Sequence, residues 1–277
     1  MGIAEQILGA WRLVQQTELW ANGAHLFPRG EKAHGLIVYS AGGWMSAQLG
    51  RAQPRAGIDQ TSLDFALEDT LAYHGRFSVD EQSQQVTHHL LDCSYLAWRG
   101  TDLVRSVSFP AEGSLQLTAV RPGGGAQRVL LWRRPTEEPE IMTANALVGA
   151  WALEEYTQTG VDGAVTHPMG VEPYGLLQYG ADGWMSVIIG RRDRDAQHAL
   201  DSSAGAYHQF VSYYGRWSAD IDAGLVTHHT VFATYAPMHA ADLKRTLAFL
   251  APDVITLSAY NAAGAPITLR WRRQTGG

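Results

Sequence analysis

Two histidines stand side by side in the run Val86-Thr87-His88-His89, and the same four residues recur as Val226-Thr227-His228-His229, 140 positions later. Imidazole titrates near neutral pH, so a positioned one can give or take a proton there. Neighbouring residues on a strand point to opposite faces of a sheet. One histidine of each pair therefore faces the inside of a closed sheet and the other faces out. That geometry also argues against a metal, because both rings of a pair cannot ligate one ion from a single cavity. His74 or His208 could complete a ligand set, but their counterparts in the other half are Tyr214 and Glu68, so no set repeats.

An arginine accompanies each pair. Leu103, Arg105, Val107 and Phe109 alternate onto one face, as do Leu243, Arg245, Leu247 and Phe249. An arginine in phase with apolar side chains is expected to be buried, and a desolvated guanidinium needs an anionic or π partner. It either polarises a ligand carbonyl or carboxylate, or it is structural, stacked on Trp11 or Trp151 or paired with an internal carboxylate. Tyr39 and Tyr73, or Tyr179 and Tyr213, supply hydroxyls from nearby strands. Base, donors and carbonyl polariser make an acid–base site. The competing account is a core histidine satisfied by a tyrosine or a backbone carbonyl.

The elements that must hold these groups come from a duplication. Gly35–Arg51 (GLIVYSAGGWMSAQLGR) matches Gly175–Arg191 (GLLQYGADGWMSVIIGR), YHGRFS at 73–78 matches YYGRWS at 213–218, and LVRSVSF at 103–109 matches LKRTLAF at 243–249, all at the 140-residue offset. Only the last strand slips by one, with Trp132-Arg133-Arg134 against Trp271-Arg272-Arg273. This places one domain at 1–136, another at 145–277 and a linker at 137–144. The first copy reads as strands near 9–17, 34–40, 43–49, 73–79, 84–91, 102–109, 114–120 and 127–133. Gly42-Gly43 and Asp182-Gly183 form tight hairpin turns. Helical spacing of Leu63, Ala66, Leu67 and Leu71 predicts a helix over 61–72, with a counterpart over 202–212. The third strand, 43–49, is apolar on both faces, Trp44 against Met45, Ala47 and Leu49, so part of the barrel exterior is expected to be covered, with the other copy as the candidate. The fold class expected is all-β: two consecutive eight-stranded antiparallel barrels, each with one short helix, since closure removes sheet edges.

Composition excludes several functions. The chain has 277 residues and a formal net charge of −6. Each half carries −3, from 12 basic and 15 acidic residues in the first 140 and 9 and 12 in the rest. No basic face for nucleic acid follows from that balance. Cys93 is the single cysteine, matched by Ala233, so it reads as a small packed side chain. No G-x-S-x-G occurs, and Ser46 and Ser186 sit mid-strand, so a nucleophilic serine site is not expected. Gly123-Gly124-Gly125 has no helix after it and reads as a hairpin loop, so no phosphate loop is present. No signal peptide or membrane span is visible, and the expected location is cytoplasmic.

Gly9-x-Trp11 and Gly149-x-Trp151 resemble the lipocalin G-x-W signature. Together with GLIVYSAGGWMS, YHGRFS, VTHH and LVRSVSF, they are similar to the bacterial lipocalin-like domain family over nearly all of both copies. The resemblance implies up-and-down barrels with apolar interiors. It also implies that Trp11 and Trp151 are structural, each packed on an arginine, Arg133 or Arg134 and Arg272 or Arg273. Some relatives carry small hydrophobic ligands. Some tandem relatives resemble cofactor-free cyclases, isomerases or hydratases of natural-product pathways. Fold alone does not fix function.

The site expected on these grounds has His88, His228, Arg105 and Arg245 as the chemical groups. Tyr39, Tyr73, Phe77 and His89 in one copy, and Tyr179, Tyr213, Trp217 and His229 in the other, are ligand contacts. No metal and no cofactor is expected. The partner expected is a small hydrophobic, carbonyl-bearing molecule, with no nucleic acid and no membrane, and an oligomer is compatible with the sequence. The reaction expected is an isomerisation, cyclisation or hydration, and the alternative is a carrier without turnover.

Overall fold

Strand order follows chain order in both halves except for one two-residue strand in each, which flanks the outer end of the strand before it. The computed structural model describes residues 1–51, 70–120, 126–136, 146–194, 209–261 and 264–276. A short helix, α1 (Ile3–Gln6), precedes strands β1 (Gly9–Leu19), β2 (His25–Leu26), β3 (His34–Tyr39), β4 (Trp44–Gly50), β5 (Leu71–Asp80), β6 (Gln85–Cys93), β7 (Asp102–Ser108), β8 (Ser114–Val120) and β9 (Gln127–Arg133). All neighbours pair antiparallel, and β1 also pairs with β9. Gly9–Arg12 of β1 lies against β3, and Arg12–Leu19 lies against β9, with a register shift between Leu13 and Gln15. One strand thus serves both edges and closes the sheet. The two-residue β2 only flanks the far end of β1, so eight strands form the wall.

The second half repeats this plan with β10 (Gly149–Thr159), β11 (Val165–Thr166), β12 (Tyr174–Tyr179), β13 (Trp184–Gly190), β14 (Phe210–Asp220), β15 (Leu225–Ala233), β16 (Asp242–Ala251), β17 (Val254–Tyr260) and β18 (Pro266–Gln274). The pairing of β10 with β18 closes the second barrel. The 3-10 turns Leu96–Trp98 and Ala236–Met238 occupy matching places.

Alternation sorts the side chains as expected. Trp11, Ile37, Tyr39, Met45, Ala47, Tyr73, Val86, Leu90, Val107, Leu115, Leu117 and Trp132 form one buried core, and the matching set, with Trp151, Tyr179, Tyr213, Trp217 and Trp271, forms the other. Both faces of β4 and β13 are buried, in keeping with their two-sided apolar sequence. The β3–β4 turn closes through the Gly43 amide donating to the Ser40 carbonyl at 3.0 Å. Gly43 sits at φ +75° and Gly183 at φ +76°, which is why glycine stands there.

The helices expected at 61–72 and 202–212 are corrected at their ends. Leu71 and Ala72 belong to β5, paired with Leu49 and Gln48, and Phe210 to Ser212 belong to β14, paired with Gly190 to Ile188. Ladder hydrogen bonds to β4 and β13 override the helical spacing there. Residues 61–69 and 202–208 of the predicted helices, like the whole of the 137–144 linker, lie outside the described residues.

Candidate functional site

His88 lies on β6 between Val86 and Leu90, directly across from Phe77 on β5 and Leu103 on β7. That row points inward, and the ring is fully buried. Tyr39 arrives from the end of β3, and its hydroxyl lies 2.7 Å from His88 Nε2. Tyr73 arrives from β5, and its hydroxyl lies 3.1 Å from Nδ1. The second barrel repeats this triplet: Tyr179 to His228 Nε2 at 2.6 Å and Tyr213 to Nδ1 at 3.1 Å. Each imidazole is therefore held at both nitrogens between two phenols. Phe77 packs edge-on against Tyr39 at 4.9 Å between centroids, and Trp217 lies 4.5 Å from Tyr179. Trp217 is fixed further by its indole N–H donating to the Gly180 carbonyl at 3.0 Å.

Burial sets the electrostatics. It pushes His88 down to about 3, helped by the positive charge of Arg105, and drives His228 well below the usual imidazole range for the same two reasons. It pushes Tyr73 up to about 12 against the opposing pull of Arg105, and it raises Tyr39, Tyr179 and Tyr213 as well. All three members of each triplet are uncharged at neutral pH. A neutral imidazole has one N–H donor and one bare nitrogen. One phenol therefore donates to the ring while the other accepts from it. The accepting phenol keeps its own O–H to offer elsewhere.

Arg105 sits opposite Val86, in phase with the inward residues, and Arg245 sits opposite Val226. Full burial is not what the structure gives. Both guanidinium groups are half-buried and turn back to their own backbone, Arg105 Nη1 donating to the Val104 carbonyl at 2.9 Å and Arg245 Nη1 to the Lys244 carbonyl at 3.1 Å. A long stem lies along the apolar wall while the charged head stays partly wet, which avoids the desolvation cost. Among the described residues neither has a carboxylate partner. Each still acts on its triplet through its positive charge. The arginines stacked on the G-x-W tryptophans are instead Arg134, 3.7 Å over Trp11, and Arg273, 4.1 Å over Trp151. Arg134 also caps the Gln6 carbonyl at 2.8 Å, and Arg273 the Val148 carbonyl at 2.8 Å.

His89 and His229 do not join the others. They face outward, with side chains 41% and 40% exposed, and each is held by an aspartate and a serine on the barrel surface. The structure thus brings together His88, Tyr39, Tyr73, Phe77 and Arg105, and likewise His228, Tyr179, Tyr213, Trp217 and Arg245. The sequence places these tyrosines beside the histidine; what it does not give is that both hold the one ring, one at each nitrogen. The signal for the tyrosines was present, because Tyr39 and Tyr73 fall in phase with the apolar positions of their strands. Among the described residues no group of three metal-ligating side chains occurs, and no helix is long and apolar enough to cross a membrane.

Comparison with known proteins gives the architecture a lineage. No curated protein matches the sequence. Among solved structures the chain is similar to a redesigned β-barrel, at 16% identity over 50% of this chain and 99% of that one, with a TM-score of 0.29. It is similar to a protein of unknown function from Nostoc punctiforme, at 11% identity over 97% of both chains and a TM-score of 0.25. A mutant transferrin binding protein B from Haemophilus parasuis matches at 8% identity over 97% of this chain and 76% of that one, with a TM-score of 0.24. These likenesses carry no functional argument. The family model described as a lipocalin-like domain matches twice, over residues 8–135 and 148–273, each match spanning one barrel with its G-x-W tryptophan and stacking arginine. The chain belongs to the lipocalin-like domain family, as a tandem member with two consecutive barrels.

Proposed function

We propose that each barrel takes up a small, mainly apolar molecule bearing a carbonyl group, and that the Tyr–His–Tyr triplet moves a proton within it without a cofactor. A lipocalin-like barrel is consistent with small hydrophobic ligands. The observation that carries the finer reading is the triplet itself, kept in both barrels to within 0.1 Å and accompanied each time by an arginine.

The chemistry follows from which charges the groups resist. Tyr73 near 12 and His88 near 3 lie about nine pH units apart. An imidazolium–phenolate pair would cost on the order of 10 kcal/mol at that gap. A neutral relay avoids it. One phenol gives its O–H proton to the ligand carbonyl oxygen and is refilled by the imidazole N–H. The bare imidazole nitrogen takes the proton of the second phenol, whose oxygen takes one from the ligand carbon. Each group gives one proton and takes one, and the imidazole changes tautomer. The product is an enol or a displaced double bond. A cyclisation or hydration can begin from the same polarised carbonyl. Arg105 and Arg245 offset negative charge developing on the carbonyl oxygen.

A carrier without turnover is the second reading. It is favoured by the fact that both ring nitrogens are already satisfied, so the triplet can be a rigid polar floor for a bound ligand. The test is hydrogen–deuterium exchange at the α-carbon of terpenoid-sized cyclic ketones and enones, followed by NMR, with binding followed by mass spectrometry under native conditions. The enzyme reading expects exchange or double-bond migration that disappears in His88→Ala/His228→Ala and in Tyr73→Phe/Tyr213→Phe while binding is only weakened. Binding without exchange in the wild type would leave the carrier.

A further inference from the structure

The outward members of the histidine pairs form a second constellation, independent of the barrel interior. On the outer face of the first barrel, Asp102 Oδ1 lies 2.8 Å from His89 Nδ1, and Ser78 Oγ lies 2.9 Å from His89 Nε2. On the second barrel, Asp242 Oδ1 lies 2.7 Å from His229 Nδ1, and Ser218 Oγ lies 3.0 Å from His229 Nε2. A carboxylate at one ring nitrogen and a serine hydroxyl at the other is the arrangement of a nucleophilic serine with its base and orienting acid. Such sites are recognised by geometry and not by sequence order. Three neighbouring strands, β5, β6 and β7, supply one residue each, and β14, β15 and β16 do the same.

A cationic platform stands beside each serine. Trp44, Arg76, His89 and Asp102 are direct cross-strand partners in one row, and Trp184, Arg216, His229 and Asp242 form the same row in the other barrel. The guanidinium carbon of Arg76 lies 4.8 Å from the Trp44 ring centroid, and that of Arg216 lies 5.5 Å from Trp184. Two residues along an extended strand puts Arg76 about 7 Å from Ser78 on the same face.

The duplication adds a separate argument. A solvated strand face tolerates change, and β7 has changed: its outward residues Val104, Ser106 and Ser108 are Lys244, Thr246 and Ala248 in β16. Asp102 alone on that face is kept, as Asp242. Ser78, His89, Arg76 and Trp44 are kept as well, as Ser218, His229, Arg216 and Trp184. Thr87 and Asp80, beside Ser78, are kept too, as Thr227 and Asp220, so the unchanged outward positions of β5 and β6 cluster around the serine while those of β7 beyond Asp102 have drifted.

We propose that Ser78 and Ser218 are solvent-facing nucleophiles that accept acyl groups from activated carboxylic esters, with an aromatic or anionic end of the ester lying on the Arg76–Trp44 pair or on the Arg216 guanidinium that covers the buried Trp184. His89 Nε2 takes the Ser78 proton as Oγ bonds to the acyl carbon. The carbonyl becomes an oxyanion facing the Arg76 charge. Its collapse breaks the bond to the leaving alcohol, which departs with the proton from Nε2. Water, deprotonated by the same nitrogen, then releases the acid and restores Ser78. Ester and water become acid and alcohol, with Asp102 holding the ring oriented throughout.

The experiment uses the full chain and a fluorophosphonate probe, read by intact mass and peptide mapping, with a known serine hydrolase as positive control. The expected result is covalent adducts on Ser78 and Ser218 with loss of fluoride. His89→Gln/His229→Gln should slow labelling at least about 100-fold, and Ser78→Ala/Ser218→Ala should abolish it. All of these positions are at least partly exposed, and an unchanged melting midpoint confirms that the variants fold. No adduct on the wild type while the control reacts, an adduct on other residues, or labelling indifferent to the histidine variants each overturns the proposal. An adduct in one barrel alone upholds it there and overturns it for the other. Activity of the interior triplet does not bear on any of these outcomes.

Discussion

Acid should unfold these barrels through their interior histidines. In the folded chain His88 is pushed down to about 3 by burial and by Arg105, while in the unfolded chain it titrates near 6.5. The unfolded state therefore binds more protons below about pH 6.5, so protonation favours unfolding. The stabilising contribution is complete above about pH 6.5 and drains away as pH falls towards about 3. Between about pH 7 and about pH 5 the loss comes to about 2 kcal/mol for one such imidazole. His228 is shifted in the same direction and for the same cause, so the second barrel is destabilised by acid in the same sense. The perturbation that isolates the effect is His88→Gln/His228→Gln. A glutamine amide keeps one acceptor and donors for the two phenols but does not titrate in this range. Urea denaturation at several pH values, followed by tryptophan fluorescence, gives the slope of stability against pH for both proteins. Surface carboxylates contribute equally to the two and cancel in the difference. The wild type should lose about 2 kcal/mol more than the variant over that interval in the first barrel, with a loss of the same sign in the second. Parallel slopes would refute the placement of a neutral imidazole in the core, and with it the relay built on that placement.

Three further outcomes follow from single contacts. Gly75→Ala should prevent the first barrel from folding, because a Cβ there would lie 1.9 Å from the His89 carbonyl oxygen at the β5–β6 register shift; loss of cooperative unfolding in calorimetry checks it. Arg134→Ala should destabilise the first barrel by about 2 kcal/mol, since it removes the stack on Trp11 and the bond to the Gln6 carbonyl, and a lowered denaturation midpoint is the readout. Tyr39→Phe should cost about 1–3 kcal/mol by leaving His88 Nε2 without its partner in the core, measured by the same denaturation.

Much of this fold was legible because a closed antiparallel sheet writes its period into the chain. The expected strands at 114–120 and 127–133 coincide with β8 and β9, and the others differ by one to three residues at their ends. The helix over 61–72 was misjudged at its end because four apolar residues at helical spacing cannot report that Leu71 and Ala72 have hydrogen-bonding partners 22 and 24 positions away on β4. Strand pairing is a non-local fact. The same limit hid the choice between Arg133 and Arg134: adjacent arginines are equivalent in composition, and only the direction each side chain takes from the last strand puts one of them over Trp11.

The histidine pair carries the most information. Adjacency alone required one ring inside and one outside, but the run Val86–Leu91 is apolar at both Leu90 and Leu91, so either phase was acceptable. Cross-strand register decides it: His88 falls in the row of Phe77 and Leu103, and His89 in the row of Arg76 and Asp102. That single assignment separates two chemistries. The inner ring loses its charge to burial and can act only through neutral tautomers. The outer ring keeps water on one side and a carboxylate on the other, which is the condition under which an imidazole takes a hydroxyl proton. Serine and aspartate were overlooked because mid-strand surface positions look like ordinary solvated faces, yet comparison of the two copies marks them. Within one chain a duplicated barrel is its own alignment, and in it Asp102 stands unchanged as Asp242 while Val104, Ser106 and Ser108 on the same face do not.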